Sequence, residues 1–465
     1  MTYPLEPDRD AMLRLGQAAT DFVADFVTGL DGAPAQNVSG RPDPALRAAV
    51  TRPPGEGPSD PAQLIETFGA AAAQVVETAG PGYLAYIPGG GVFASALAEF
   101  MARAANRYTA LAAFAPELVA MESGVLDWLG YQFGMPAGNG GLVTTGGSMA
   151  TLSAVVAARH DRLGEAFTDG TIYLTVHAHH CVAKAARIAG FPAARIRVVP
   201  TTADLRMDVD AAAQMIAADR ATGLRPFLLV ANAGSTDTGT VDRLPALGRL
   251  AAREDLWFHV DAAYGGFFQL TKRGRETLTG VESADSIVLD PHKGLFLPYG
   301  TGVLLVRDAA PLRTAHSGEA HYLQDIKADQ ALPDFSSLGP ELTREFRGLR
   351  IWLPLHLHGV AAFRDTLDEK LDLAAHAHAD LAADQALDLP WEPDLSTVVF
   401  RLRRGGEDAS LRLLERINAA RTVFLSSTRI NGRVMLRLSI LSHRTHREHI
   451  DRALDLIHAQ AARQL

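Results

Sequence analysis

The sequence holds a single cysteine, Cys181, among 465 residues, so no disulfide can form within the chain. That scarcity fits a reducing compartment. No basic block or stripe is present and the formal net charge is −9, so a nucleic-acid partner is not expected. Long apolar runs are also missing. The Ala-rich stretch 110–120 is broken by Pro116 and Glu117, and nothing reaches the roughly 18 apolar residues of a membrane-spanning helix. The opening MTYPLEPDRD has no basic segment followed by an apolar one, so no secretory leader and no membrane partner are expected. A cytoplasmic location follows by default.

What is present reads as an ordinary globular chain, 47% hydrophobic and 21% charged, long enough for two or three domains and a sizeable core. Residues 7–30 carry Met12, Leu15, Ala19, Phe22, Val23 and Phe26 at helical spacing, which predicts one amphipathic helix. Seven prolines between Pro34 and Pro61 follow. They leave no room for a long helix and read either as a flexible linker or, the favoured alternative, as an extended segment wrapped over a partner surface. In the middle of the chain, short β-branched runs at 171–176, 195–199, 227–232, 257–261, 286–289 and 302–306 alternate with helical patterns such as 208–219 and 244–253. Such alternation predicts an α/β fold whose mostly parallel sheet is covered on both faces. After about Arg347 a long helical pattern (360–384) precedes short strands at 397–402 and 434–440, a smaller α+β domain. The expected division is 1–80, a helix and wrapping segment; 81–347, the large domain; and 348–465, the small one.

In such sheets ligands sit at the C-terminal ends of the strands, and the chemistry-bearing residues gather there. Residues 286–294 read SIVLDPHKG: a strand ends at Asp290, Pro291 turns the chain, and His292 and Lys293 follow. Most lysines are plain surface residues. One placed after a buried strand beside a histidine is expected to be desolvated, with a lowered pKa that frees its amine to attack a carbonyl. Residues 257–266 read WFHVDAAYGG. Asp261 at a strand end could simply cap a helix. Taken with Lys293, it is the carboxylate that a pyridoxal phosphate (PLP) ring needs against its pyridine nitrogen. The small Ala262 and Ala263 let a flat ring approach the backbone. Residues 142–151 read LVTTGGSMAT; Gly146, Gly147 and Ser148 at a helix start have the physics of a phosphate site. Residues 176–185 read VHAHHCVAKA. His177, His179 and His180 lie close enough to bind zinc, but alternate side chains of an extended chain face opposite ways, so one of the three is read as a ring-stacking group rather than a plain structural histidine, and no metal is expected.

These pieces together resemble the group II PLP-dependent amino-acid decarboxylases, the family of aromatic-L-amino-acid, histidine and glutamate decarboxylases. The resemblance runs from about Gly82 to Arg444 and rests on GYLAYIP (82–88), MESGVLDWL (121–129), TTGGSMATLSAVVAAR (144–159), HVDAAYGG (259–266), DPHKG (290–294) and FRGLRIW (346–352). It implies fold type I, with a large domain built on a seven-stranded, mostly parallel sheet and a small C-terminal α+β domain. It implies a homodimer whose site lies at the subunit interface, with an amino acid as substrate. By resemblance Lys293 carries PLP as a Schiff base, Asp261 pairs with the pyridine nitrogen, Ala263 and His179 pack on the two ring faces, Gly147 and Ser148 hold the phosphate, and Thr236 and His292 lie near the cofactor. Lys293, His179 and Asp261 are the expected catalytic set. Tyr83, Ile87, Pro88, Tyr322 and Phe335 are expected toward the substrate, with a roomy apolar edge that suits an aromatic side chain.

Two positions depart from the family pattern. Many relatives have an acidic residue where Met149 stands. The family's mobile loop carries a tyrosine thought to protonate Cα, and a gap-free count back from Phe346 puts Phe335 there. Phenylalanine has no proton to give, so either another group (Tyr322, His321 or His179) supplies it, or the reaction ends in oxidative deamination to an aldehyde. A transaminase or β-eliminase is a rival reading, with Arg437 in MLRLSI as its carboxylate-binding arginine. A non-catalytic PLP-binding regulator is another, disfavoured because residues 1–80 show no helix-turn-helix pattern.

Overall fold

The computed structural model describes residues 5–38, 43–318 and 332–463. Its centre is a seven-stranded sheet of β1 (Gly140–Thr144), β2 (Gly170–Thr175), β3 (Ile196–Val199), β4 (Arg225–Asn232), β5 (Trp257–Asp261), β6 (Ser286–Leu289) and β7 (Gly302–Val306), in the order β1-β7-β6-β5-β4-β2-β3. β7 runs antiparallel to both neighbours and every other pairing is parallel. The central strands are buried along their whole length, as expected of strands covered by helices on both faces. β1 escaped the sequence reading because it opens on two glycines, which weaken strand propensity. The pairing needs them: a Cβ on Gly141 would lie 2.1 Å from the carbonyl oxygen of Leu304 on β7.

A second, antiparallel sheet joins β8 (Leu387–Asp388), β9 (Thr397–Leu402), β10 (Ser426–Ile430) and β11 (Arg433–Ser439) in the order β10-β11-β9-β8. Its apolar face packs on the helices Gly406–Ala419 and Arg447–Ala462 around a core of its own. The helical pattern at 360–384 belongs to a longer element, Gly348–Ala383, broken at Gly359 (φ 75°). Ile351, Leu367 and Leu371 of this element enter the large core, and Leu373, Ala377 and Leu381 enter the small one.

The N-terminal helix spans Arg9–Gly29 with Asp8 as its N-cap. The Pro-rich connector is not extended throughout, which corrects the sequence reading. It contains the helix Pro44–Val50 and ends on the first residue of another, Pro61–Ala72, each with proline in its first turn and an aspartate N-cap, Asp43 or Asp60. Proline at N1 forfeits only an N–H that has no helical partner and presets φ, so these prolines start helices.

Burial has an electrostatic consequence at His259 on β5. Its ring is fully enclosed, with Nδ1 2.7 Å from the Ser286 hydroxyl, which also accepts from Trp257 Nε1. Desolvation pushes the imidazole down to about 4, with the charge of Asp261 opposing. The unfolded chain therefore takes up this proton first as pH falls, and stability drains away from about pH 6.5 toward 4, about 2 kcal/mol of it by pH 5. The buried carboxyls of Asp242 and Asp285 are shifted up and pull the other way, so a comparison of variants is needed. His259→Asn retains a hydrogen-bonding side chain without the titration. Its urea midpoint is expected to fall less between pH 7 and 5 than that of the unsubstituted protein, and equal falls would refute the assignment.

Candidate active site

Five chain segments leave the C-terminal ends of β1, β2, β4, β5 and β6 and meet around one cavity of about 470 Å³. The wall after β1 is Thr145–Ser148. Gly146 adopts φ 150°, ψ 170° and precedes the helix Gly147–Leu163. A Cβ on Gly147 would sit 3.0 Å from Asp290 Oδ2, so the backbone comes close to the cavity floor only because both residues are glycine. The positive end of a 17-residue helix dipole thereby opens on the cavity.

After β2 the three histidines part company. His177 is buried with Nδ1 3.2 Å from Asp237 Oδ2. His179 lines the cavity and caps the helix His180–Ile188, its Nδ1 accepting from the Cys181 N–H. That bond fixes the proton of a neutral ring on Nε2. Burial lowers the His179 pKa, with the charges of Asp261 and Asp290 opposing, so the neutral form dominates near pH 7. His180 is exposed.

Asp261 ends β5 in the cavity wall, nine-tenths buried, with Oδ1 accepting from the Ala263 N–H at 3.1 Å. Lys293 comes from the short helix Pro291–Gly294 after β6, and its Nζ lies 2.8 Å from Asp290 Oδ2. The expected fall in its pKa does not occur in this arrangement. Desolvation acts downward, but the charge and hydrogen bond of Asp290, with help from Asp261, outweigh it and the net shift is upward. Sequence reasoning missed Asp290 as a partner, although its place three residues before the lysine was visible in DPHK. His292 donates from Nδ1 to the Thr301 carbonyl at 2.6 Å and meets the Tyr299 ring edge-on.

The cavity gathers Lys293, Asp261, His179, Gly147, Ser148, Thr236, Ala263, His292, Tyr83 and Ile87, ten of the residues singled out from the sequence. It adds Tyr86, Cys181, Asn232, Tyr264, Asp290 and Tyr299. Pro88 is buried and does not line it. Phe335 does not line it either: the ring is 1% exposed, sits in the large core, and has the Arg344 guanidinium 4.6 Å from its centroid. Its segment is held there by Asp334, whose Oδ1 accepts from the Ala112 N–H at 2.7 Å. Tyr322 and His321 lie outside the described residues.

This set fits PLP. A lysine amine, the Asp261 carboxylate and a helix N-terminus cleared by glycine converge on one cavity, and Asp290 Oδ1 is buried without a hydrogen-bond partner among the described residues. The pyridoxal-dependent decarboxylase conserved domain matches residues 54–403. The aromatic-L-amino-acid decarboxylase of Bacillus atrophaeus is 30% identical over 96% of this chain and 95% of its own. The tyrosine decarboxylase of Oryza sativa subsp. japonica is 32% identical over 98% of this chain and 91% of its own. The crystal structure of Oryza sativa TDC with PLP and tryptamine superposes with a TM-score of 0.92 at 26% identity, covering both chains fully. The chain belongs to the pyridoxal-dependent decarboxylase family. It is a PLP-dependent carboxy-lyase of fold type I.

Proposed function

We propose that this enzyme converts an aromatic L-amino acid to its amine and CO₂. The observation that carries the reading is the convergence of Lys293, Asp261, His179 and the Gly147 helix start on one cavity whose lining also includes Tyr83, Tyr86, Ile87 and Tyr299. These four side chains are aromatic or apolar, which suits a flat side chain, and relatives at 30% identity or more are named for aromatic substrates. PLP, when bound, draws electrons from the bond broken at Cα. In this reading Lys293 tethers it and Asp290 holds the proton of the free amine at Oδ2. Asp261 keeps a negative charge toward the pyridine nitrogen, Gly147 and Ser148 offer N–H groups to the phosphate, and the neutral His179 ring packs alongside. We also propose a homodimer. Exposed Met12, Leu13, Leu15, Leu64 and Phe68 on the N-terminal helices, with Phe93, Phe100 and Met101, form the kind of apolar surface that a partner covers.

The sequence count that puts Phe335 where the resemblance expects the loop tyrosine motivates a second reading, although its ring is packed in the core of its own chain. If no acid protonates Cα promptly, the outcome is oxidative: amino acid, O₂ and water give aldehyde, CO₂, ammonia and hydrogen peroxide. The test is to load the protein with PLP, incubate it in air with a panel of L-amino acids and no keto acid, and identify products by mass spectrometry. An amine with CO₂ from an aromatic substrate supports the first reading and an aldehyde with peroxide the second. Turnover that requires 2-oxoglutarate would overturn both in favour of a transaminase. If aldehyde forms, Phe335→Tyr is the discriminating variant: a several-fold rise in the amine share would assign the proton to this position despite its burial in the core of its own chain. An unchanged product ratio would exclude Phe335 as the determinant.

A further inference from the structure

Arg437 is the arginine that a transaminase reading would assign to the substrate carboxylate, yet four of its five N–H donors are engaged elsewhere. It stands on β11 with 3% of its surface exposed and does not line the cavity. Nε donates to the Asp237 carbonyl at 2.9 Å and Nη1 to the Ser426 hydroxyl at 3.1 Å. Nη2 donates to the Thr236 carbonyl at 2.6 Å and the Tyr86 carbonyl at 3.2 Å. Thr236 and Tyr86 belong to two separate segments of the cavity wall, one following β4 and the other far earlier in the chain. The nearby Asp237 carboxylate does not pair with this guanidinium by hydrogen bond; it accepts from Thr428 at 2.6 Å and faces His177.

We infer that Arg437 is a positioning residue: one buried guanidinium clamps the Tyr86 and Thr236 walls of the cavity to the antiparallel sheet and leaves the substrate carboxylate without an arginine partner from this strand. The planar fork of a guanidinium suits this role, because several fixed N–H directions reach separate carbonyls at once, which an ammonium cannot reproduce. The chemistry agrees. An ion pair to the carboxylate is strongest while that group is charged and is lost as CO₂ departs, so it stabilises the ground state more than the transition state. A clamp acting through backbone carbonyls carries no such penalty. This inference rests on the decarboxylase reading for its account of the carboxylate, but the clamp itself concerns the shape of the cavity.

The test uses PLP-loaded Arg437→Lys and Arg437→Met beside the unsubstituted enzyme. Dissociation constants are read from the cofactor's absorbance for two probes, tryptamine and α-methyl-L-tryptophan, which share the indole and amine but differ in the carboxylate. Affinity for PLP is measured on the same variants by titration of the apoenzyme, and folding by far-ultraviolet circular dichroism. The clamp predicts that both probes weaken by a similar factor, roughly tenfold, and that lysine does not rescue. A loss confined to α-methyl-L-tryptophan would make Arg437 a carboxylate ligand and overturn the inference, and so would unchanged affinity for both probes. If the unsubstituted enzyme binds neither probe, the aromatic reading fails by itself. PLP affinity then decides the clamp: a tenfold loss in folded Arg437→Lys supports it and no loss overturns it.

Discussion

Lys293→Ala is expected to reduce turnover on the order of a thousand-fold or more, the scale seen when a covalent catalytic group is removed. The lysine is anchored by two local facts. It lies on the first turn after a fully buried strand, and its Nζ is held 2.8 Å from Asp290 Oδ2. It is also the one lysine among the described cavity residues, so no neighbouring amine stands ready to replace it. The helix N-terminus at Gly147 and the carboxylate of Asp261 are untouched by the change, so PLP is expected to remain bound without a covalent link. The protein's absorbance should then shift from that of a lysine-bound chromophore to that of the free aldehyde. Absorbance and turnover measured together give the check. A variant that kept turnover within tenfold would remove Lys293 from the mechanism.

Asp261→Asn is the second large effect, a loss of about a hundred- to a thousand-fold in kcat, comparable with deleting one preorganised electrostatic group. The substitution is nearly isosteric, and its carbonyl oxygen can still accept from the Ala263 N–H. What disappears is a negative charge in a wall where little water screens it. That charge also opposes the burial of His179 and supports the protonated form of Lys293. Asp261→Asn is therefore expected to move the pKa of Lys293 in the apoenzyme downward. Since the charge acts on bound PLP more than on the substrate's ground state, the loss should fall on kcat and leave KM within a few-fold. A fall confined to KM would assign Asp261 to substrate binding instead.

Legibility differed between parts of the molecule for identifiable reasons. β5, β6 and β7 could be bounded from the sequence to the residue because they are short apolar runs closed by Asp, Pro or Gly. β1 and β10 could not, since GGLVT and SSTRI owe their strand state to the neighbours they pair with. The connector was misread because prolines that interrupt a helix and prolines that begin one look alike until the aspartate caps at 43 and 60 are weighed with them. Pro88 and Phe335 were assigned to the site from their place in the chain, and both turned out to be packed away from the cavity of their own chain.

The residue types and spacings alone pointed to the chemistry: a lysine, a carboxylate, a histidine and a Gly-Gly-Ser turn, each at a strand end where side chains and helix dipoles can face a ligand. Only the tertiary structure decided how these groups act on one another. Desolvation alone would lower the Lys293 pKa, and the sign reverses because folding brings the Asp290 and Asp261 carboxylates against the amine. Arg437 could have been a carboxylate ligand by its place in the sequence, and the carbonyls of Tyr86, Thr236 and Asp237 that surround it come from parts of the chain far from β11. Strand and motif signals are local and survive in one dimension. Charge states and hydrogen-bond partners depend on distances between remote segments, which exist only once the chain has packed.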